Sequence, residues 1–309
     1  MTSLVEMRDL VYEYPGFRAL HNLCATIQKG TITALVGPNG AGKTTFLRCL
    51  AALEAPYSGT INLDGLNIHS DPRLSHTQMG YLSDFFGLYD DLTVEQCLSY
   101  RAYAQELVAD QASDAIAWAA ESVNLTDRLG QKAGELSRGL RQRLAIGQAI
   151  IHKPKLLLLD EPASGLDPEA RDDLATLLTQ LRDGGMTIVV SSHILAELEA
   201  YSSHMLIIDK GHIVDHTVVG DASPVSDSAA LTVQLMEPHA EFEKILSNVA
   251  DNARVIDTTA QFSLKGGPQA QRDLLKKLIE AGVPVIFFGP ERVNLQDTYI
   301  ERMREGRET

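Results

Sequence analysis

The stretch TITALVGPNGAGKTTFLRCLAAL, residues 31–53, constrains this chain more than any other. A short apolar run ends at Val36, a glycine-rich loop follows, and helical spacing opens at Lys43. Within it, GPNGAGKT (37–44) fits G-x-x-x-x-G-K-[S/T] in the strand-to-helix context that this pattern requires. Average residue usage produces such a match by accident in about one chain of this length in a hundred. Gly37, Gly40 and Gly42 let backbone N–H groups curl around phosphate oxygens. The run Gly37, Pro38, Asn39, Gly40, Ala41, Gly42, Lys43, Thr44 and Thr45 is therefore a candidate nucleotide cradle. In it, Lys43 would reach the β- and γ-phosphates and Thr44 would offer its hydroxyl to Mg²⁺.

The rest of the first 220 residues continues the alternation that such a loop implies. LVEMRDLVYEY, LHNLCATI and SGTINLDG read as strands near the start, with turns at Pro15-Gly16 and Lys29-Gly30. Residues 93–120 turn helical, and TVEQ (93–96) fits a capping box. LSRGL opens a helix that runs to about Ile151. KLLLLD and MTIVVSSH are apolar runs of the kind buried in a parallel sheet, separated by a helix over 168–182. Strand and helix in alternation predict a doubly wound α/β core.

Near residue 220 the character changes, and GDASPVSDS reads as a linker. Beyond it the spacing predicts strand 231–236, helix 239–250, strands 253–258 and 261–265, helix 269–281 and strand 283–288. That βαββαβ order is the ferredoxin-like pattern of a small α+β domain over 221–309. A last helix is expected in NLQDTYIERMREG.

Chemistry concentrates at the ends of the apolar runs. Asp160 and Glu161 close LLLLD-E, where α/β sheets place ligands. Asp160 fits a partner of Mg²⁺ and Glu161 a general base for an attacking water. His193 ends VVSSH and is a candidate γ-phosphate contact. In LSRGL, Ser137 can cap the helix and Gly139 lets the backbone approach an anion, so its N-terminus is a second phosphate site.

Taken together, the loop at 37–44, LSRGLRQR, LLLLDEP, SGLD (164–167) and SSH resemble, in order and spacing, the ATP-binding subunit of an ABC transporter. The resemblance covers about residues 1–220. It implies a P-loop NTPase fold with a RecA-like core, a β-subdomain and a helical subdomain at about 85–150. It also implies ATP and Mg²⁺ as ligands and ATP hydrolysis as the activity. Two subunits, identical or paralogous, would pair head to tail, so that Ser137 and Gly139 complete the partner's site. Tyr14 matches the aromatic that stacks on adenine, with a core-packed strand tyrosine as the alternative. Asp84 falls where the family most often has glutamine, as a candidate for Mg²⁺ or its water. Arg138 and Leu140 replace the usual glycine and glutamine of the signature. The tail NLQDTYIERM resembles the terminal helix of exporter ATPases. The implied partner is a polytopic membrane permease subunit, with Phe85 and Phe86 of DFFG placed to receive it, core packing being the alternative for both rings. A soluble ATPase of the same family acting on a non-membrane partner is the rival reading.

Composition limits the rest. A net charge of −14 argues against nucleic acid as main partner. No apolar run approaches the ~18 residues of a membrane span, and the N-terminus lacks a signal-peptide pattern. The expected location is the cytoplasmic face of the membrane, held by a membrane subunit. Cys24, Cys49 and Cys97 show no pairing pattern and are expected to be buried, reduced thiols.

Overall fold

The computed structural model describes residues 2–192, 194–218, 228–239, 241–247 and 249–290. They fall into two compact units, parted between residues 219 and 220. Most of the predicted linker, residues 220–227, and the whole of the predicted terminal helix lie outside the described residues.

In chain order the first unit comprises β1 (Ser3–Tyr14), β2 (Phe17–Gln28), β3 (Ile32–Val36), α1 (Lys43–Leu50), β4 (Ser58–Leu63), β5 (Leu66–Asn67), α2 (Pro72–His76), β6 (Met79–Leu82), α3 (Val94–Ala104), α4 (Ala109–Ser122), α5 (Arg138–Ile150), β7 (Leu156–Leu159), α6 (Pro168–Asp183), β8 (Thr187–Ser192), α7 (Leu195–Glu199), β9 (His204–Asp209) and β10 (His212–Val218). One sheet is antiparallel, ordered β2-β1-β4-β5. The other is ordered β10-β9-β3-β8-β7-β6. In this second sheet β9, β3, β8, β7 and β6 are parallel, and β10 returns antiparallel beside β9.

This topology follows from what each run can bury. Every residue of β3, β7 and β8 is buried, as continuous apolar strands must be when helices cover both faces. β2 instead alternates, with Leu23, Ala25 and Ile27 inward and Cys24 and Thr26 outward. Cys24 is therefore exposed, which corrects the expectation for that thiol. The Asp9 N–H donates to its Sγ at 3.2 Å. Cys49 and Cys97 are buried, and burial pushes the Cys49 thiol up to about 12. Phe46, Leu47 and Leu50 on α1 join strand residues such as Leu35, Leu158 and Val189 in one core cluster. Each such side chain contributes about 1.5–3 kcal/mol by leaving water.

Between β6 and β7 in the chain, α3, α4 and α5 pack on one another. The capping box at Thr93 forms with both of its bonds, Gln96 N to Thr93 Oγ1 at 3.2 Å and Thr93 N to Gln96 Oε1 at 2.9 Å. The helical stretch expected over 93–120 forms two helices, α3 and α4. Glu106 sits at φ +60°, a left-handed conformation that ends a helix.

The second unit runs β11 (Ser228–Leu235), α8 (Phe242–Ser247), β12 (Asp251–Ile256), β13 (Thr259–Lys265), α9 (Gly267–Glu280) and β14 (Val285–Pro290). Its sheet is ordered β12-β13-β11-β14, with every neighbouring pair antiparallel. Leu231, Val233, Phe262, Leu264, Leu274 and Leu278 form its core.

Candidate functional site

Four loops leave the parallel sheet at the same edge, because β3, β6, β7 and β8 run in one direction. They carry, in turn, the glycine loop, Asp84 and Asp160–Glu161, with Ser192 at the end of β8. The topology gathers at one edge residues that lie up to 150 positions apart in sequence.

The glycine loop holds its shape through contacts that other residues would break. A Cβ at Gly37 would stand 2.1 Å from the Ile208 carbonyl oxygen of β9. Gly40 and Gly42 have φ of +79° and +107°. Gly42 is the N-cap of α1 and offers no side-chain acceptor. The first-turn N–H groups of α1 therefore have no cap from the preceding side chain, and no acidic residue occupies that turn. Such a helix end, at its positive dipole pole, suits a phosphate. Behind the loop, Gly211 N donates to Ala41 O at 2.8 Å and so ties the β9–β10 turn to it. Lys43, only 7% exposed, donates from Nζ to Gly37 O at 2.8 Å and lies 3.8 Å from Glu161 Oε1.

The two carboxylates after β7 diverge, and the backbone explains how. Asp160 is 2% exposed and its Oδ1 accepts from Ser191 Oγ at 2.6 Å. That same Oγ accepts from Glu161 N at 2.9 Å. Glu161 then takes φ +49°, rare for a side chain other than glycine. The left-handed turn accompanies the separation of the two acids. Asp160 stays under the floor, while Glu161 lines the cleft with the loop. Nearby, burial first and then the Asp160 charge push the Tyr81 phenol up to about 12, with Asp84 adding to the shift.

The resulting cleft of about 500 Å³ brings together Tyr14, Asn39–Thr45, Asp84, Glu161 and Ser164. Tyr14 OH lies 3.3 Å from Thr45 Oγ1, and Tyr14 is 39% exposed at the rim rather than packed in the core. Phe17 joins it, 63% exposed. In the sequence its signal is an aromatic just past the Pro15-Gly16 turn. Ser191, which orients both acids, was hidden inside VVSSH. His193 lies outside the described residues.

Ser137 and Gly139 do not line this cleft. They line another, of about 290 Å³, with Arg138, Gly165, Leu166 and Asp167 among their neighbours. Ser137 is the N-cap of α5, its Oγ accepting from Leu140 N at 3.4 Å. Asp167 caps α6 through Ala170 N at 2.8 Å. A third cleft, about 470 Å³, is lined by Leu53, Arg73, Met79, Tyr81, Arg101 and Gln105. Phe85 stands outside it, 92% exposed, and Phe86 is half-buried.

The residue order and this geometry agree with comparisons to known proteins. A sequence profile described as ABC transporter matches residues 20–164. The Nod factor export ATP-binding protein I of Cupriavidus metallidurans is 35% identical over 211 residues, 68% of this chain and 70% of that protein. The chain belongs to the ABC transporter family. Like the family's other ATP-binding subunits, it binds and hydrolyses ATP to power transport. The bacitracin transport ATP-binding protein BcrA of Bacillus licheniformis is 29% identical over 316 residues, covering 99% of both chains. That alignment takes in the second unit as well as the ABC unit. A solved ATP-binding subunit of an ABC transporter superposes with TM-score 0.63 at 29% identity, covering 71% of this chain and 92% of that one. Among the described residues, no helix is long and apolar enough to cross a membrane.

Proposed function

We propose that this chain drives an ABC exporter by ATP-dependent, head-to-tail pairing, each subunit completing the other's hydrolytic site. The observation that supports the reading is the separation of its two anion-binding helix starts. The loop residues Asn39–Thr45 and the signature at Ser137–Gly139 line different clefts with no lining residue in common. A helix start that carries a serine and a close-approach glycine has use for a phosphate brought by a second subunit.

In the paired state Lys43 holds the β- and γ-phosphates, and the partner copy supplies the signature serine to the γ-phosphate. Glu161, beside Lys43, takes the proton of the attacking water. His193 follows β8 and is assigned to the γ-phosphate. Bound Mg²⁺ would neutralise phosphate charge, with Thr44 as its ligand and Asp84 and Asp160 as acidic neighbours. Tyr14 stacks on the adenine. A polytopic membrane permease is the partner at the cytoplasmic face, and its docking helix suits the cleft beside Tyr81 and Arg101. The name of the Nod factor export relative favours export.

Complementation tests the pairing. Lys43→Ala and Ser137→Arg chains should each be inactive alone. Mixed equally, half the pairs contain one intact composite site, so about a quarter of wild-type turnover should return. A silent mixture of folded chains would refute head-to-tail sharing.

A further inference from the structure

We propose that Arg138 is a positioning residue, a latch that carries nucleotide binding in the P-loop cleft to the signature serine of the same chain. The proposal rests on the assignment of the 37–45 cleft to ATP.

Contacts form an unbroken series between the two clefts. Lys43 Nζ lies 3.8 Å from Glu161 Oε1. The Glu161 carbonyl accepts from Ser164 N at 3.0 Å. The Ser164 carbonyl accepts from Arg138 Nη2 at 2.8 Å. Arg138 adjoins Ser137 and is the first residue of α5. Ser164 lines the P-loop cleft, whereas its neighbour Gly165 lines the signature cleft. The SGLD loop thus has Ser164 in one cleft and Gly165, Leu166 and Asp167 in the other, and Arg138 grips it at the junction.

Gly165 makes the grip close. It has φ +67°, and a Cβ there would stand 2.4 Å from Arg138 Cζ and Nη2 and 2.6 Å from Nη1. The guanidinium lies over the bare Cα and fills the space a side chain would need. A planar fork fits this arrangement, and the compact ammonium of lysine does not. Gly139, next along the helix, is also held near α6, since a Cβ there would meet Ala170 Cβ at 3.1 Å. A phosphate that draws Lys43 toward itself and repels the Glu161 carboxylate breaks their pair and shifts the Glu161–Ser164 turn, and Arg138 passes that shift to the start of α5.

The test is amide hydrogen exchange on the full chain, at a concentration where sedimentation shows a monomer. The probe is Mg²⁺ with a non-hydrolysable ATP analogue. In the wild type, binding should slow exchange at the P-loop and also, by at least about threefold, at Leu140 and Arg141. Arg138→Gln should abolish the second response and keep the first. Gly165→Ala, whose Cβ displaces the end of a flexible side chain and adds the strain of a left-handed alanine, should do the same with Arg138 present. Absence of the response in wild type, or its survival in both variants, overturns the latch. Survival together with a fall in kcat would place Arg138 on the partner's phosphate instead. Because this readout uses the monomer, failure of head-to-tail sharing appears only in the complementation assay, and failure of ATP binding appears as an unresponsive P-loop.

Discussion

Glu161 is asked to do two things at odds with each other, and replacing it by glutamine and by glycine separates them. Its carboxylate, 3.8 Å from Lys43, is the proposed base, while its backbone sits at φ +49°. General-base help is worth about 10²–10⁴ in rate, or about 3–5 kcal/mol of barrier. Glu161→Gln and Glu161→Gly should both lose that factor in single-turnover ATP hydrolysis while still binding ATP. Their stabilities should part. A left-handed non-glycine residue costs about 1–2 kcal/mol, and glycine returns about 0.4–1 of the gain through the entropy of its unfolded chain. Both variants lose the Lys43 pair equally, so that contribution cancels between them. Glu161→Gly should therefore exceed Glu161→Gln by up to about 1.6 kcal/mol, a rise of up to about 6 °C in Tm. Paired denaturation curves and quench-flow hydrolysis measure the two effects. Turnover within a few-fold of wild type in Glu161→Gln would refute the base. A glycine variant less stable than the glutamine one would refute the strain.

Gly37→Ala meets a backbone oxygen at 2.1 Å that cannot swing away, so it should cost at least about 1–3 kcal/mol and abolish binding of a fluorescent ATP analogue. Gly40→Ala, with open space around its Cβ but φ +79°, should cost only about 1–2 kcal/mol. Phe85→Asp, at a 92% exposed position, should impair transport with the permease while leaving Tm and basal hydrolysis near wild type; a fall in all three would mean a folding role. Burial holds His152 below its ordinary 6.5, more than the opposing Met79 carbonyl raises it. His69 and His216 are lowered by burial as well. The unfolded chain then takes up protons that the folded one resists, so stability is full above about pH 6.5 and declines as pH falls below it. His152→Gln should shallow that decline in urea melts at pH 7.5, 6.5 and 5.5, and an unchanged slope would exclude His152 as a contributor.

Legibility in the sequence tracked how local the cause was. The loop at 37–44, the Thr93 capping box and the α6 helix start at Asp167-Pro168 each announce themselves within a few residues, because their bonds close within one turn. β7 and β8 were legible from apolar runs alone. β6 (QMGYL) was not, as it is short and holds a glycine whose Cβ would strike the Ala149 carbonyl at 2.3 Å. That glycine is explained by α5 packing, a contact made from 69 residues away. β9 and β10 carry a local signal, LIID and HIV around the Lys210-Gly211 turn.

The site divides the same way, and the division says something about how such a site is built. Residue types and order gave Lys43, Glu161 and Ser137, because phosphate and water chemistry restrict those choices. What the sequence could not display is which of them share a cleft. Asp160 and Glu161 are adjacent, yet a left-handed turn and one serine hydroxyl, Ser191 Oγ, separate a buried carboxylate from one that lines the cleft. Ser164 and Gly165 are adjacent, yet they line different clefts. In both cases one peptide unit divides two functions, and the side chain that fixes the division comes from another element: Ser191 from β8, Arg138 from α5. A change at either of those supporting residues should therefore disturb the relation between functions more than either function alone, which is a pattern no scan of the motifs themselves would reveal.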